Sequence, residues 1–416
     1  MNEHFFAPCP RGLAGVLADE LSTLGATKVE PQDAGVAFAG DRAMAYRANL
    51  HSRIASRILW RVARFPYESE QHIYDAAMLL PWPSWFDVGR TIKVEINAHR
   101  CPLKSLDFIT LRIKDAVCDR FREQVGSRPS VDARNPDVRV HAFLDATHAS
   151  LYLDYSGEPL FKRGLREHTG EAPLKKNLAA GIIRLSGWQP NEAFLDPMCG
   201  SGTFIIEAAE MALNIAPGMS GGKLREFAFT RLKNFDRESW EAEVARARGA
   251  QKTLPADRLP IYGSDKFGYA ITDARENLKA NGLEGAVQVK QVNILEISAP
   301  AASGVIVTNP PYGERLGNVE DLAALYPKLG DLLKQKFAGW RAYVFTADPQ
   351  LPKLVRLSAS KRTPLFNGKL ECRLFEYKVI AGSNRKTPAR INSSTWTAPI
   401  STFLSSTTSS PPVPIL

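Results

Sequence analysis

Asp196-Pro-Met-Cys-Gly-Ser-Gly-Thr203 follows the short apolar run Ala193-Phe-Leu195 and precedes a helical segment that extends through Ala212. Gly200 and Gly202 allow the backbone to turn sharply and to approach a ligand without an obstructing Cβ. The first turn of the following helix directs free N–H groups and the positive end of its dipole toward this turn. Such a strand–turn–helix unit suits the carboxylate or the phosphate of a bound cofactor.

The glycine spacing in this turn differs from that of dinucleotide-binding proteins. The dinucleotide pattern G-x-G-x-x-G is absent, because Thr203 follows Gly202 and no third glycine comes after it. This spacing argues against a nicotinamide enzyme. Asp196 is expected to order the loop, and Cys199 is interpreted as a small packing residue that offers only its backbone N–H.

An aspartate ends the next predicted strand. In an open α/β sheet, an acidic residue at this place accepts hydrogen bonds from ribose hydroxyls. The segment Ile261-Tyr-Gly-Ser-Asp265 supplies that carboxylate, and a helix from about residue 269 to residue 280 follows it. A helix N-cap is the alternative role for Asp265, and the two roles are compatible.

A second motif, Asn309-Pro-Pro-Tyr-Gly313, comes directly after the apolar segment Val305–Thr308. The exocyclic amine of a nucleobase is a poor nucleophile because its lone pair is delocalised into the ring. The side-chain oxygen of Asn309 and the carbonyl of Pro310 can accept both amine hydrogens, which favours a pyramidal nitrogen. Two consecutive prolines restrict the backbone and preorganise these acceptors. A turn that merely ends a strand is the alternative for this motif taken alone.

The aromatic residue of the second motif completes the predicted catalytic set. Tyr312 offers a ring on which a target base can stack, worth ~1–3 kcal/mol. If such an amine attacks an activated methyl group, the methylated amine loses its proton readily and no strong general base is needed. Positioning and electrostatics then supply the rate enhancement. The predicted catalytic residues are Asn309, Pro310, Pro311 and Tyr312.

The bulk properties limit the classes of protein. A chain of 416 residues is long enough for two or three domains. Its net charge of +9 favours a polyanionic partner, although a basic solvated surface without a partner is the alternative. No run approaches the ~20 apolar residues of a membrane span, and the N-terminus has no pattern of a signal peptide. The five cysteines are scattered without metal-ligand spacing, so we expect no metal and a reducing, cytoplasmic location.

Hydrophobic periodicity divides the chain into regions. Residues 1–65 are interpreted as a small α/β unit, and residues 66–157 as a second unit. Within these units the pattern predicts a helix over Arg11–Leu24, a helix over Leu106–Val125 and strands at Gly35–Phe38, Ile58–Val62, Thr91–Ile96, Val138–Leu144 and Ser150–Tyr155. The predicted buried face of the longer helix consists of Phe108, Leu111, Ile113, Val117 and Phe121.

From residue 158 to residue 382, strands alternate with helices, which is typical of a parallel sheet. The predicted strands are Ala193–Leu195, Pro260–Gly263, Val287–Val289, Gly304–Thr308 and Arg341–Phe345, with a final strand at Leu370–Val379 near the sheet edge. Residues 383–416 are rich in Ser, Thr and Pro and are predicted to be disordered.

With these motifs in place, the chain resembles bacterial THUMP-domain ribosomal RNA guanine-N2 methyltransferases, and most closely the type that modifies 23S rRNA. The resemblance covers about residues 1–382. It rests on the two motifs above and on Gly164-Leu-Arg-Glu-His168, Ala172-Pro-Leu-Lys-Lys-Asn-Leu-Ala-Ala180, Gly313-Glu-Arg-Leu316 and Asn367-Gly-Lys-Leu-Glu-Cys-Arg373. Asn-Pro-Pro-Tyr by itself is shared with adenine-N6 and protein glutamine methyltransferases.

The resemblance implies a fold, a cofactor and a partner. The fold is α/β, with a Rossmann-like class I methyltransferase domain built on a mostly parallel seven-stranded sheet. A ferredoxin-like unit and a THUMP α+β RNA-binding domain precede it. S-adenosyl-L-methionine is the implied cofactor, and 23S rRNA or a precursor large-subunit particle is the implied partner. Residues 173–180 are implied to help close the cofactor pocket. The predicted cofactor-binding residues are Asp196, Pro197, Cys199, Gly200, Gly202, Thr203, Asp265, Asn293 and Asn309.

The sequence departs from the family pattern in two respects. Where the family usually has an aspartate that binds the adenine amino group, this chain has Asn293. The fused form of the family continues into a second methyltransferase domain, whereas the Ser/Thr/Pro segment stands here, so a single catalytic centre is expected.

Basic residues near residue 160 are the predicted RNA contacts. They are Lys162, Arg163, Arg166, Lys175 and Lys176, at the junction between the RNA-binding and catalytic regions. Arg53, Arg57, Arg61 and Arg64 are interpreted instead as a solvated face. Two alternatives to methylation of 23S rRNA guanine remain open. One is the same chemistry on a tRNA guanine or an adenine N6, and the other is an RNA-binding assembly factor with weak or no catalysis, for which Asn293 is the only support.

Overall fold

The structure is a computed structural model that describes residues 3–165, 174–310, 319–348 and 350–380. Pro311, Tyr312, Arg166, the segment Gly313–Leu316 and the predicted disordered tail lie outside the described residues. Within those ranges, no helix combines the length and the apolar character that crossing a membrane requires.

The N-terminal half alternates short strands and helices. Its elements are β1 (Glu3–Pro8), α1 (Ala14–Thr23), β2 (Thr27–Gln32), β3 (Gly35–Gly40), α2 (Arg42–His51), β4 (Leu59–Pro66), α3 (Glu70–Met78), α4 (Trp82–Trp85), β5 (Ile92–Ala98), α5 (Leu106–Val125), β6 (Val138–Leu144) and β7 (His148–Asp154). The five strands predicted here are all present. Strands β1 and β2 and the short helices were not predicted.

All seven of these strands form one sheet, in the order β2-β3-β1-β4-β7-β6-β5. Strand β4 pairs with β1 on one side and with β7 on the other. The two N-terminal units are therefore joined edge to edge through main-chain hydrogen bonds rather than by a flexible linker.

Helix α5 is placed as predicted, but its buried face is rotated. Ile109, Ile113 and Phe121 are buried, whereas Phe108 and Leu111 are about half exposed. The prediction was wrong for these two residues because Ile109 and Ala116 occupy the face that packs on β5 and α3, and positions 108 and 111 lie outside that stripe.

The C-terminal half, for which the resemblance implies catalysis, contains a second seven-stranded sheet, called the catalytic sheet. Its elements are α6 (Lys176–Leu185), β8 (Phe194–Asp196), α7 (Thr203–Ala212), α8 (Arg237–Ala250), β9 (Ile261–Asp265), α9 (Gly268–Ala280), β10 (Gln288–Gln291), β11 (Gly304–Thr308), α10 (Val319–Lys336), β12 (Trp340–Thr346), α11 (Leu351–Leu354), β13 (Lys361–Asn367) and β14 (Leu370–Lys378), with two 3-10 turns at Pro217–Gly222 and Ala228–Arg231.

The strand order in this sheet is β10-β9-β8-β11-β12-β14-β13. Strands β10, β9, β8, β11 and β12 are parallel to one another. Strand β14 pairs antiparallel with both β12 and β13, so β14 alone runs in the opposite direction. The predicted α/β fold with a mostly parallel seven-stranded sheet is confirmed. The carboxyl ends of β9, β8 and β11 meet at one edge, which is where ligands bind in open α/β sheets.

One strand at the edge of the sheet was missed. Strand β13 forms the edge, and β14 lies beside it, between β12 and β13, so the prediction that β14 lies near the sheet edge is confirmed. The sequence of β13 begins Lys361-Arg-Thr-Pro364, and charges and a proline are the features that edge strands tolerate but that hide them from periodicity.

The two halves share one apolar core. A single buried cluster runs from Phe5 and Leu17 to Phe194 and Ile205. Leu13 packs against Gly181 of α6, where an added Cβ would approach the leucine to 2.3 Å. The N-terminal and C-terminal halves are thus packed against each other directly, and a second cluster, centred on Ile306 and Trp340, covers the other face of the catalytic sheet.

Candidate active site and RNA-binding surface

The glycine-rich loop connects β8 to α7. The helix begins at Thr203, as predicted, with Gly202 as its N-cap. Gly200 has φ of 50° and Gly202 has φ of 87°, both in the left-handed region that favours glycine. A Cβ on Gly200 would meet no heavy atom within 4 Å. The loop therefore leaves open space on the side that a cofactor would approach.

Asp265 fixes this loop to β9. Its Oδ2 accepts a hydrogen bond from the backbone N–H of Gly200 at 3.1 Å, and its Oδ1 accepts one from Phe267 at 3.1 Å. Helix α9 begins at Gly268 with Phe267 as its N-cap, so the alternative role of Asp265 as N-cap is wrong. Burial raises the pKa of the Asp265 carboxyl, opposed by these N–H donors.

A hydrogen bond joins the two sequence motifs. Thr308, the last residue of β11, donates its hydroxyl to Oδ1 of Asp196 at 2.9 Å. The same oxygen accepts the backbone N–H of Met198 at 3.2 Å. Asp196 is fully buried, and burial raises its pKa to about 7. Asp196 thus holds the ends of β8 and β11 together, which the sequence did not predict, and its contact with Met198 agrees with the expectation that it orders the loop.

Cys199 and Pro197 attach the loop to β9. The backbone N–H of Cys199 donates to the carbonyl of Ser264 at 2.8 Å, so this N–H, which we expected to face the cofactor, is already engaged. The hydroxyl of Ser264 lies 3.4 Å from the carbonyl of Pro197. Burial raises the pKa of the Cys199 thiol well above its ordinary value. Both residues thus hold the loop against β9, through contacts with Ser264.

Asn309 stands at the carboxyl end of β11 with an unpaired acceptor. Its side-chain Oδ1 is buried and has no hydrogen-bond partner among the residues that the structure describes. Pro310 is buried beside it. A buried amide oxygen without a partner costs free energy unless a ligand supplies a donor. This atom is where the motif predicted an acceptor for an amine.

Asn293 follows β10 at the same edge of the sheet. Its Oδ1 accepts the backbone N–H of Leu295 at 3.1 Å, which closes a local turn. The strand order β10-β9-β8-β11 therefore places Asn293, Asp265, the glycine-rich loop and Asn309 side by side. The predicted cofactor residues that the structure describes are brought together along one edge.

Two residues of this edge were missed by the sequence reasoning. Asn277 of α9 donates its side-chain N–H to the carbonyl of Ser201 at 3.1 Å and supports the loop. The ring of Phe267 is partly exposed beside Asp265 and stacks on Tyr269. The aromatic pair so close to the predicted ribose-binding carboxylate was a usable signal, whereas nothing local marked Asn277.

Arg163 is not an RNA contact. The prediction was wrong because its guanidinium is buried and donates to Oε1 of Glu207 at 2.9 Å and to the carbonyl of Arg53 at 3.0 Å. Arg53 is buried as well and donates to the same carboxylate oxygen at 2.8 Å. Burial raises the pKa of Glu207, but the two arginines outweigh it and hold that pKa below its ordinary value.

These residues form a buried ionic junction, defined here as Arg53, Arg163, Glu207 and Glu210. Arg53 comes from the N-terminal half, Arg163 from the connection between the halves, and both glutamates from α7. Burial and the neighbouring charge of Glu207 raise the pKa of Glu210, whose carboxylate accepts the hydroxyl of Ser220. Helix α7, which begins at the glycine-rich loop, is thus anchored to the N-terminal half.

The interpretation of Arg53 and Arg57 as part of a solvated face was also wrong. Arg57 pairs with the fully buried Asp154 and donates to the carbonyl of Gly157. Burial raises the pKa of Asp154, but the neighbouring side chains of His141 and Arg57 outweigh this effect and hold the pKa below its ordinary value. Arginine spacing in the sequence did not reveal that these side chains point inward.

The remaining predicted RNA contacts divide into exposed and buried side chains. Lys162 is exposed and pairs with Glu158 at 2.9 Å. Lys175 is exposed with its ammonium over the ring of Phe161 at 4.9 Å. Lys176 is buried against the ionic junction, so its prediction as a surface contact was wrong. Arg166 lies outside the described residues.

Gly164 explains one motif of the resemblance. Its φ is 63°, and a Cβ there would lie 2.4 Å from Oδ1 of Asn281 and 2.5 Å from Oγ of Ser220. Asn281 also exchanges two hydrogen bonds with the backbone of Leu165. Only glycine fits where the connection between the halves docks on α9.

Three family models match the chain. Residues 163–376 match the RMKL-like methyltransferase domain, residues 67–154 match the THUMP domain, and residues 4–59 match the RlmL ferredoxin-like domain. The three matches follow one another without overlap.

Curated relatives fall into two length classes. A putative RNA methyltransferase of Synechocystis sp., slr0064, is 38% identical over 90% of this chain and 96% of its own length. The ribosomal RNA large subunit methyltransferase K/L of Aeromonas salmonicida is 39% identical over 92% of this chain. The chain spans 55% of that relative's length.

Solved structures share the whole architecture. SMU.472, described as a putative methyltransferase complexed with SAH, aligns over 92% of this chain and 99% of its own, with 29% identity and a TM-score of 0.81. The likeness extends over both halves and is not limited to the catalytic sheet.

Proposed function

The chain belongs to the RMKL-like methyltransferase family, and on this premise we propose that it methylates the exocyclic N2 of a guanine in 23S rRNA, with S-adenosyl-L-methionine as methyl donor. The unpaired, buried Oδ1 of Asn309 at the carboxyl edge of the catalytic sheet is the observation that carries this proposal.

The residues along the sheet edge fit this cofactor. The N-terminus of α7 and the open space beside Gly200 suit the carboxylate of a methionine moiety. Asp265 offers a carboxylate to ribose hydroxyls, and Asn293 an amide to the adenine amine. When S-adenosyl-L-methionine is bound, its sulfonium group supplies an activated methyl group. The related structure solved with SAH supports this assignment.

Asn309 acts on the nucleophile. Its Oδ1 accepts one hydrogen of the guanine amine, and the carbonyl of Pro310 accepts the other, which localises the lone pair on nitrogen. Both acceptors are preorganised, so they need no reorientation as charge develops on the amine. Tyr312 is the proposed stacking platform for the base, which leaves its helix at a cost of a few kcal/mol.

Large-subunit rRNA is the proposed substrate because curated relatives carry that name and because the chain is basic. A THUMP domain precedes the catalytic domain and is proposed to recognise RNA by its shape and phosphates. Lys162 and Lys175 are exposed at the junction of the halves and are proposed, with Arg166, to contact the backbone of the displaced nucleotide.

Nucleoside mass spectrometry tests this function. Large-subunit rRNA from cells that lack the gene is incubated with the purified protein and labelled S-adenosylmethionine, then digested to nucleosides. The proposal expects label only in N2-methylguanosine. It also expects N2-methylguanosine to be absent from the untreated rRNA of the deletion strain. Label in N6-methyladenosine would replace the proposal with methylation of an adenine N6. Transfer to tRNA but not to rRNA would replace it with methylation of a tRNA guanine.

A further inference from the structure

A cleft at the carboxyl edge of the catalytic sheet lies beside the proposed active site. Its volume is about 790 Å³, within the ~300–1,000 Å³ that ligand pockets occupy. It is lined by the end of β12, by α11 and the segment after it, and by β13 and β14. Glu371, Cys372 and Arg373 of the motif Asn367–Arg373 contribute to it, a motif to which no function was attached.

Strand register places this cleft next to Asn309. Thr308 pairs with Val344 of β12, and Thr346 of the same strand pairs with Arg373 of β14. Arg373 is thus two strands away from Asn309, which corresponds to about 10 Å at the usual spacing between strands. This is the distance over which nucleotides flanking a displaced base would extend.

The cleft is basic, and three of its four cations have no ion-pair partner among the described residues, although Arg362 lies over the ring of Phe375 at 6.0 Å. Lys353, Arg356, Arg362 and Arg373 line it, against the carboxylates of Asp348 and Glu371. Of the four cations, only Arg373 has an ion pair among the described residues, with Glu371 at 3.4 Å. One oxygen of Asp348 already accepts the backbone N–H of Gln350. The cleft therefore keeps an excess of exposed positive charge.

The backbone at Arg356 is unusual. Its φ is 54°, in the left-handed region that a non-glycine residue rarely adopts. The side-chain ammonium of Lys334 in α10 donates to its carbonyl at 3.1 Å and holds the segment. Arg356 directly follows Val355, the C-cap of α11, so this conformation ends the helix and, with the Lys334 contact, fixes the position of a residue that lines the cleft.

We propose that this cleft binds the phosphates of the RNA strand that carries the target base, with Lys353, Arg356, Arg362 and Arg373 as its contacts. The inference rests on the proposed function and adds a second RNA-binding surface inside the catalytic domain. The N-terminal half selects the RNA, and the cleft orients the nucleotides next to the base that Asn309 receives.

Charge reversal in the cleft tests this assignment. The double variant Arg362→Glu/Arg373→Glu is compared with Lys378→Glu, which reverses an exposed charge at the opposite end of β14. Five residues separate positions 373 and 378, about 17 Å along the strand. The KM for large-subunit rRNA from the deletion strain is measured as a function of salt, and the affinity for SAH by calorimetry.

The double variant is expected to raise the KM for rRNA about tenfold, and to reduce the slope of log KM against log salt by about 0.7 for each phosphate contact that is lost. Its affinity for SAH remains that of the parent protein, and Lys378→Glu changes none of these quantities. If the double variant folds poorly, Lys353→Glu/Arg356→Glu tests the same cleft from a different element.

Three results would overturn the inference. If the parent protein methylates rRNA and both double variants behave like Lys378→Glu, the cleft has no contact with RNA, and the proposed function still stands. If the loss appears with precursor particles but not with naked rRNA, the cleft binds an acidic protein. If the parent protein methylates no rRNA, the proposed function fails and the inference fails with it.

Discussion

The buried ionic junction and the carboxyl edge of the catalytic sheet differ in how their charged and polar groups are paired. At the junction, Arg53 and Arg163 share one oxygen of Glu207 and are excluded from water. At the edge, Lys353, Arg356 and Arg362 have no ion-pair partner in the described part of the chain, and Oδ1 of Asn309 accepts no hydrogen bond there.

This difference separates structural from ligand-binding charge. Removing one member of a buried pair leaves an uncompensated charge, so such pairs hold two parts of a protein in one arrangement. The buried acceptor at the edge gains a hydrogen bond when a ligand supplies a donor, whereas the exposed cations are hydrated and remain available to an anionic ligand. Junction variants should therefore lose stability, and edge variants should lose function.

The largest effect is expected from breaking the junction. Glu207→Ala removes the carboxylate oxygen that Arg53 and Arg163 share, and the Glu210 carboxylate that remains lies 3.8 Å from Arg53. This loss should lower the free energy of unfolding by about 3–5 kcal/mol. Urea unfolding followed by tryptophan fluorescence measures it. The exposed pair of Glu158 and Lys162 is the matched control, and Glu158→Gln should cost about 0–1 kcal/mol. Equal losses in the two variants would contradict the distinction.

A pH-dependent effect is expected from Asp196. Since burial raises its pKa from 3.8 to about 7, the folded protein binds a proton that the unfolded chain releases between these values. Its contribution to stability is therefore complete below pH 3.8 and is lost as pH rises toward 7.

Asp196→Asn removes this titration and keeps an oxygen that can accept from Thr308. The difference in unfolding free energy between the two proteins should change by about 2–4 kcal/mol between pH 4 and pH 7, with the variant gaining at the higher pH. A difference that stays constant across this range would show that the Asp196 carboxylate is ionised throughout.

A smaller effect is expected where the connection docks on α9. Gly164→Ala introduces a Cβ into the space of Asn281 and Ser220. Gly222 has a similar positive φ, but the Cβ that Gly222→Ala introduces would meet no heavy atom within 4 Å. The second substitution should cost about 1 kcal/mol from backbone strain. The first should cost about 2 kcal/mol more, because overpacking is added to the strain. Thermal unfolding of the two variants measures this difference, and equal costs would remove the steric role of Gly164.

Much of the catalytic fold could be predicted from the sequence because its central strands are short buried runs between glycine-rich turns. Gly304–Thr308 is apolar almost throughout and was recognised, whereas β13 carries charges and a proline and was not. The buried face of α5 was misassigned at Phe108 and Leu111, because residue type alone does not show which apolar side chains the neighbouring elements cover.

The candidate site could be predicted where its chemistry is local and not where it depends on distant partners. Asp265 and Asn309 stand at strand ends that the sequence itself marks. Arg163 was misassigned because its partner Glu207 lies 44 residues further along the chain, and a basic residue near a junction looks the same whether it is paired or exposed.

Asn309→Ala tests the central claim most directly, through single-turnover methyl transfer at saturating rRNA and S-adenosylmethionine. The rate should fall by about 10²–10³-fold, the usual cost of removing one preorganised polar group. The free energy of unfolding should change by less than about 0.5 kcal/mol, because the lost oxygen has no hydrogen-bond partner among the residues that the structure describes. Affinity for rRNA should stay the same. A variant that transfers methyl at the parent rate would contradict the account.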